Sequence, residues 1–237
     1  MTSARDRLIV SLDVPNAAEA QRIVAALGEA VSTYKVGKQL FTAAGPALVR
    51  ELVGSGRKVF LDLKFHDIPN TVASAVRSAS ELGVTMLTVH ASGGSKMLSA
   101  AAEAALSAEH PPLVLAVTVL TSLGDADLKE IGIAGGAKEQ VLRLASLAQK
   151  AGCGGVIASA QEAQQVRRQL GAGFTIVTQG VRPAGAPKDD QSRVATPAEA
   201  IAAGADYIGV GRPITRAEDP AAAARAILEE ISPKVLA

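Results

Sequence analysis

The stretch that decides the fold is residues 58–91, KVFLDLKFHDIPNTVASAVRSASELGVTMLTVHA. It opens on a β-branched and aliphatic run, "KVFLDLK" (58–64), and continues into an alanine-bearing helical segment. Gly83 follows just before a second strand-like run, "MLTVHA" (86–91). A strand, a crossover helix closed by glycine and a further strand make a βα unit that feeds a parallel sheet. Working outward, the same grammar recurs. Strand candidates lie at "LIVSLDV" (8–14), "TYKVG" (33–37), "LVLAVTVL" (113–120), "GVIAS" (155–159), "FTIVTQG" (174–180) and "YIGVG" (207–211). Helix starts are marked by Asn16 with Glu19, by Thr196-Pro197 with Glu199, and by Asp219-Pro220. These are capping residues with an N1 proline or an N3 glutamate. Gly28, Gly152 and Gly204 close further helices ahead of the next strand.

Eight βα units in 237 residues predict an α/β fold, a (β/α)8 TIM barrel, whose usual length is about 250 residues. No G-x-G-x-x-G follows the first strand, which argues against a doubly wound open sheet. No Pro/Ser linker interrupts the chain, so residues 1–237 are expected to form a single catalytic domain.

Composition narrows the function. The formal charge is +1, from 24 Lys+Arg against 23 Asp+Glu, and aromatics are 3%. That balance offers neither an electrostatic footprint for nucleic acid or an anionic membrane nor a base-stacking platform. Cys153 is the only cysteine, so no disulfide forms within the chain, and a reducing, cytoplasmic setting with a buried, inert thiol is expected. "MTSARDRLIVSLDV" lacks the charged and long apolar regions of a leader, and "LVLAVTVL" is far too short to span a membrane.

In a barrel of this kind the reacting groups sit at the C-terminal ends of the strands, and the polar residues fall there. Asp13 ends the first strand, Lys35 lies in the second, and Asp62 and Lys64 end the third. His90 ends the fourth, Thr118 and Thr121 follow the fifth, and Gln179 and Arg182 follow the seventh. Alternation along a strand puts Asp62 and Lys64 on one face, and sends Tyr34 and Val36 away from Lys35. Such charge is costly inside a barrel unless paired or used. A salt-bridge plug is the bland reading, but two lysines and three acids (Asp13, Asp62, Asp67) exceed what a plug requires. After the eighth strand, Gly209, Gly211 and Arg212 in "YIGVGRPI" read as a phosphate cradle, or else as a turn with a solvated arginine. Between them, "RPAGAPKDDQ" (182–191) reads as a loop that could close over a phosphoryl group, with Arg182 and Gln191 at its two ends. His90 admits two readings, a neutral packed histidine or a proton carrier. With three histidines and one isolated cysteine, no nitrogen- or sulfur-rich metal site can be drawn.

"FLDLKFHDIPNT", with "YKVGKQLF", "VTVLTS", "TQGVRP" and "IGVGRPI", resembles orotidine 5′-phosphate decarboxylases of the bacterial type. The resemblance runs from "LIVSLDV" to "RPI". It implies a cytoplasmic lyase without cofactor or metal, which converts orotidine 5′-monophosphate to UMP in the last step of pyrimidine nucleotide synthesis. Lys64 would be the proton donor to C6 within a charge array of Lys35, Asp62, Lys64 and Asp67. Asp13 and Lys35 would hold ribose hydroxyls, Thr121 would lie near the base, and Arg182, Gln191, Gly211 and Arg212 would bind the phosphate. Asp67 and Thr71 would reach into a partner's site, making a homodimer. The nearest alternatives are Mg²⁺-dependent sugar-phosphate decarboxylases and hexulose-phosphate aldolases. Those resemble the chain at D-x-K-x-x-D but bind the metal through a strand-two glutamate, where this chain offers Lys35. A non-catalytic phosphate-binding barrel is the remaining alternative, and it has no need of a proton donor.

Overall fold

A computed structural model describes residues 3–184 and 195–232. Its eight strands are β1 (Leu8–Ser11), β2 (Thr33–Gly37), β3 (Lys58–Phe65), β4 (Met86–His90), β5 (Leu113–Val117), β6 (Gly155–Ala158), β7 (Thr175–Thr178) and β8 (Tyr207–Val210). All pair in parallel, in chain order, and β8 pairs back onto β1 to close the barrel. The expected (β/α)8 architecture is borne out. The strand starts match the sequence closely, while most ends fall short of expectation. Asp13 lies two residues past the end of β1, not on it.

Two apolar layers hold the barrel. One fills the space between strands and helices, where Val10, Tyr34, Val36 and Leu61 meet helix residues such as Ile23, Leu40, Val76 and Leu98. The other fills the interior and comprises Ile9, Phe60, Met86, Leu115, Val117, Ile157 and Val177. Tyr34 and Val36 thus face the helices while Lys35 between them is also buried, as strand alternation requires. Towards the C-terminal rim the buried residues turn polar, with Ser11, Lys35, Asp62 and Thr88. At the other end of β6 the packing is tight enough to exclude any side chain. A Cβ on Gly155 would lie 2.3 Å from the Thr175 carbonyl oxygen.

The helix starts are as read. Asn16 Oδ1 accepts from the Glu19 amide, Thr196 and Glu199 bond reciprocally, and Asp219 Oδ1 accepts from the Ala222 amide. The helix Lys38–Gly54 is broken at Gly45, whose φ of 65° precedes Pro46. Proline there removes one helical donor, and glycine supplies the left-handed turn. Cys153 is buried, and burial pushes its thiol up to about 12, in line with an inert cysteine. Among the described residues no helix is long and apolar enough to cross a membrane.

Candidate active site

Asp62 is the centre of the polar cluster. Its side chain is 2% exposed, and both carboxylate oxygens lie 2.8 Å from Lys64 Nζ. Lys35 Nζ stands 3.6 Å from Asp62 Oδ2 and 2.9 Å from Asp13 Oδ1. The four groups form a chain of alternating charge, Asp13–Lys35–Asp62–Lys64, drawn from the segment after β1, from β2 and from β3. The Thr88 hydroxyl donates to Asp62 Oδ1 at 2.9 Å, and Gln179 Nε2 donates to Oδ2 at 3.3 Å. Burial alone would raise the Asp62 pKa, but Lys35 and Lys64, with the Lys64 and Thr88 hydrogen bonds, outweigh it and hold the carboxyl below its usual range.

Lys64 does not reach Asp62 by simple alternation. Its φ is +53°, unique among the described non-glycine residues, and the ladder between β3 and β4 shifts around it. Leu61 pairs with Leu87 and Phe65 with Val89, so Asp62, Leu63 and Lys64 together face Thr88 alone. This bulge, in a conformation that side chains disfavour, turns the lysine back over the carboxylate. Strain of this kind at a charged group is a recurrent mark of functional sites.

Next to the cluster a cavity of about 340 Å³ opens at the strand ends, lined by Asp13, Gln179, Gly211, Arg212 and Arg182 among others. Gly211 caps the short helix Arg212–Thr215. Ser11, Gln39, Thr215 and Arg216 also line the cavity, and sequence reasoning did not single them out. Gly37 permits the close approach of the charged chain, since a Cβ there would stand 2.7 Å from Asp13 Oδ1 and 3.1 Å from Lys35 Nζ.

Two expected site residues, Asp67 and Thr71, lie apart from the charged chain. Asp67 is exposed, accepts from the Ile68 amide and makes no ion pair with Lys64 among the described residues. Thr71, in the first turn of the helix Pro69–Ser80, is exposed as well. Thr121 is half-buried in the segment after β5. Gln191, with residues 185–191 of the expected closing loop, lies outside the described residues. His90 stacks on His66 with ring centroids 5.4 Å apart. Burial, then His66, Lys64 and Lys38, hold its pKa below the usual histidine value despite Asp62, which favours the neutral reading. Among the described residues no group of three or more His, Cys, Asp or Glu is placed to hold a metal ion.

Comparison with known proteins agrees with this fold. Residues 6–227 match the Orotidine 5′-phosphate decarboxylase / HUMPS family. The chain belongs to this family. It is 58% identical to the orotidine 5′-phosphate decarboxylase of Halorhodospira halophila, over 95% of this chain and 96% of the relative. It is 53% identical to that of Idiomarina loihiensis, over 96% and 99% respectively. The crystal structure of the orotidine 5′-phosphate decarboxylase from Lactobacillus acidophilus superposes with a TM-score of 0.86 at 41% identity, covering 94% of this chain and 98% of that one. Within the orotidine 5′-phosphate decarboxylase / HUMPS family, the cation at Lys35 is the feature that bears on which chemistry the barrel mouth supports.

Proposed function

We propose that the chain decarboxylates orotidine 5′-monophosphate to UMP, without metal or cofactor, as a carboxy-lyase of pyrimidine nucleotide synthesis. The observation that carries this reading is the Lys64 ammonium clamped onto buried Asp62 beside a cavity lined by three arginines, Arg182, Arg212 and Arg216. The C6–carboxylate bond breaks, CO₂ leaves, and the electron pair remains at C6. A fixed ammonium there stabilises the developing charge, and the Lys64 proton is transferred to C6. Asp62 lies against the substrate carboxylate and keeps Lys64 oriented. Asp13 and Lys35 hold ribose hydroxyls, and Thr121 lies near the base. Arg182, Gln191, Gly211 and Arg212 take the phosphate, where charged bidentate contacts suit arginine. Binding energy from that remote group contributes to lowering the barrier.

The second reading, a Mg²⁺-dependent hexulose-phosphate aldolase or sugar-phosphate decarboxylase, is kept open by the breadth of the family. Lys35, 3.6 Å from Asp62, speaks against it, because its charge repels a divalent cation at that carboxylate. After EDTA treatment, the protein should consume orotidine 5′-monophosphate at its full rate in an ultraviolet assay. Activity that appears only with added Mg²⁺, on a hexulose phosphate, would favour the second reading.

The enzyme acts as a homodimer in which Asp67 and Thr71 complete the partner's site. Their exposure, next to Ile68 at 66% exposed, supports this. Two inactive variants, Lys64→Ala and Asp67→Ala, are unfolded, mixed and refolded together. With random pairing about half the dimers are mixed and roughly a quarter of all sites recover both residues. If Asp67 serves its own chain, mixing restores nothing. The buried lone thiol and near-neutral charge fit a cytoplasmic enzyme.

A further inference from the structure

Thr88 occupies the point where the backbone of the proposed acid and the carboxylate that orients it meet. It is fully buried in β4, a strand that otherwise contributes apolar residues and His90. Its hydroxyl accepts from the Lys64 amide at 2.9 Å and donates to Asp62 Oδ1 at 2.9 Å. A hydroxyl carries one proton and two lone pairs, so it can serve both neighbours at once. Among the described residues no other side chain bonded to Asp62 also holds the Lys64 backbone.

The bulge explains why a hydroxyl is needed. Asp62, Leu63 and Lys64 crowd against Thr88 alone, so the Lys64 amide has no regular ladder partner. A buried amide left unpaired is unfavourable, and the +53° φ of Lys64 is unfavourable too. Thr88 satisfies that amide and, through the same oxygen, fixes the carboxylate onto which the lysine folds. We propose that Thr88 is a positioning residue for the decarboxylation, acting through the backbone of Lys64 and the carboxylate of Asp62 without touching substrate. This rests on the decarboxylase reading of the same site. The consequence is selective. Losing the hydroxyl should disturb where the ammonium stands against C6, while the phosphate end of the cavity, formed by the segments after β7 and β8, stays intact.

The test compares Thr88→Val, which keeps the shape and removes the hydroxyl, with Thr88→Ser, which keeps the hydroxyl. For Thr88→Val, kcat is expected to fall on the order of tenfold to a hundredfold, as misplacement of a reacting group by about an ångström does. UMP affinity should stay within about twofold of wild type, because uniform binding is untouched. Thr88→Ser should recover kcat to within about threefold, since the hydroxyl restores the placement. Should Thr88→Val not fold, Thr88→Ala carries the same comparison. Wild-type kcat in Thr88→Val would overturn the proposal, and so would a Thr88→Ser variant as slow as Thr88→Val. Equal losses in kcat and UMP affinity would also overturn it, marking a general loosening. A wild-type protein that fails to turn over orotidine 5′-monophosphate would instead defeat the decarboxylase reading, and the positioning role with it.

Discussion

Replacing Asp62 with Asn tests the charge array from the side of the carboxylate. Asp62 is 2% exposed, with Lys64 Nζ at 2.8 Å and Lys35 Nζ at 3.6 Å. Breaking a buried pair by removing one charge costs about 3–5 kcal/mol. The low end applies here, because Lys35 retains Asp13 at 2.9 Å and the Lys64 side chain, 21% exposed, can reach water. Asn also keeps an oxygen for the Thr88 hydroxyl. About 3 kcal/mol corresponds to a melting temperature lower by about 6–12 °C for a chain of this size. The acid dependence fixes the sign. The folded pKa of Asp62 lies below its ordinary 3.8, so its stabilising share is present above that value and is lost as pH falls through the folded pKa. Melting curves of wild type and Asp62→Asn from pH 7 down to pH 3 should therefore start well separated and converge in acid. A gap under about 2 °C at pH 7, or one that stays constant down to pH 3, would refute the reasoning.

Gly37→Ala forces a Cβ to within 2.7 Å of Asp13 Oδ1 and should lower kcat/KM about tenfold or more by displacing the charged chain, as steady-state assays would show. Gly155→Ala drives a Cβ to 2.3 Å from the Thr175 carbonyl oxygen. It should cost about 1–3 kcal/mol of stability, visible in denaturant melts, with kcat of the folded fraction retained. Arg212→Ala should weaken UMP by about 1.5–3 kcal/mol, the loss of a charged hydrogen bond. Uridine should be unaffected in the same calorimetric titration, and equal losses for both would remove Arg212 from the phosphate site.

The strand starts were legible because β-branched runs follow glycine-closed helices at several repeats, at Gly28, Gly83, Gly152 and Gly204, and the barrel follows from the number of such runs. The ends were not. The run from Leu113 to Leu120 stays apolar, yet β5 ends at Val117, and Val119 remains 7% exposed after leaving the ladder. Hydrophobic pattern reports burial rather than hydrogen bonding, and the segments that bend over a barrel mouth are buried without being paired. Lys35, Asp62 and Lys64 were legible because charge on strands is rare without a use. Thr88 was not. In "MLTVH" a threonine reads as an ordinary β-branched strand residue, and the bulge that gives it two partners depends on the register between two strands. The left-handed Lys64 was hidden for the same reason, since nothing in its neighbours favours positive φ. Asp67 and Thr71 were legible only through resemblance, because among the described residues their exposed positions make no contact with the charged cluster.

The central claim is that Lys64, held by Asp62, protonates C6 as CO₂ departs. EDTA-treated wild type and Lys64→Ala are compared for loss of orotidine 5′-monophosphate absorbance, with UMP binding measured on both. Wild type should turn over. Lys64→Ala should lose more than about a hundredfold in kcat, the combined share of general acid catalysis and charge stabilisation, while still binding UMP. A Lys64→Ala variant that binds UMP and keeps a tenth or more of wild-type kcat would contradict the account.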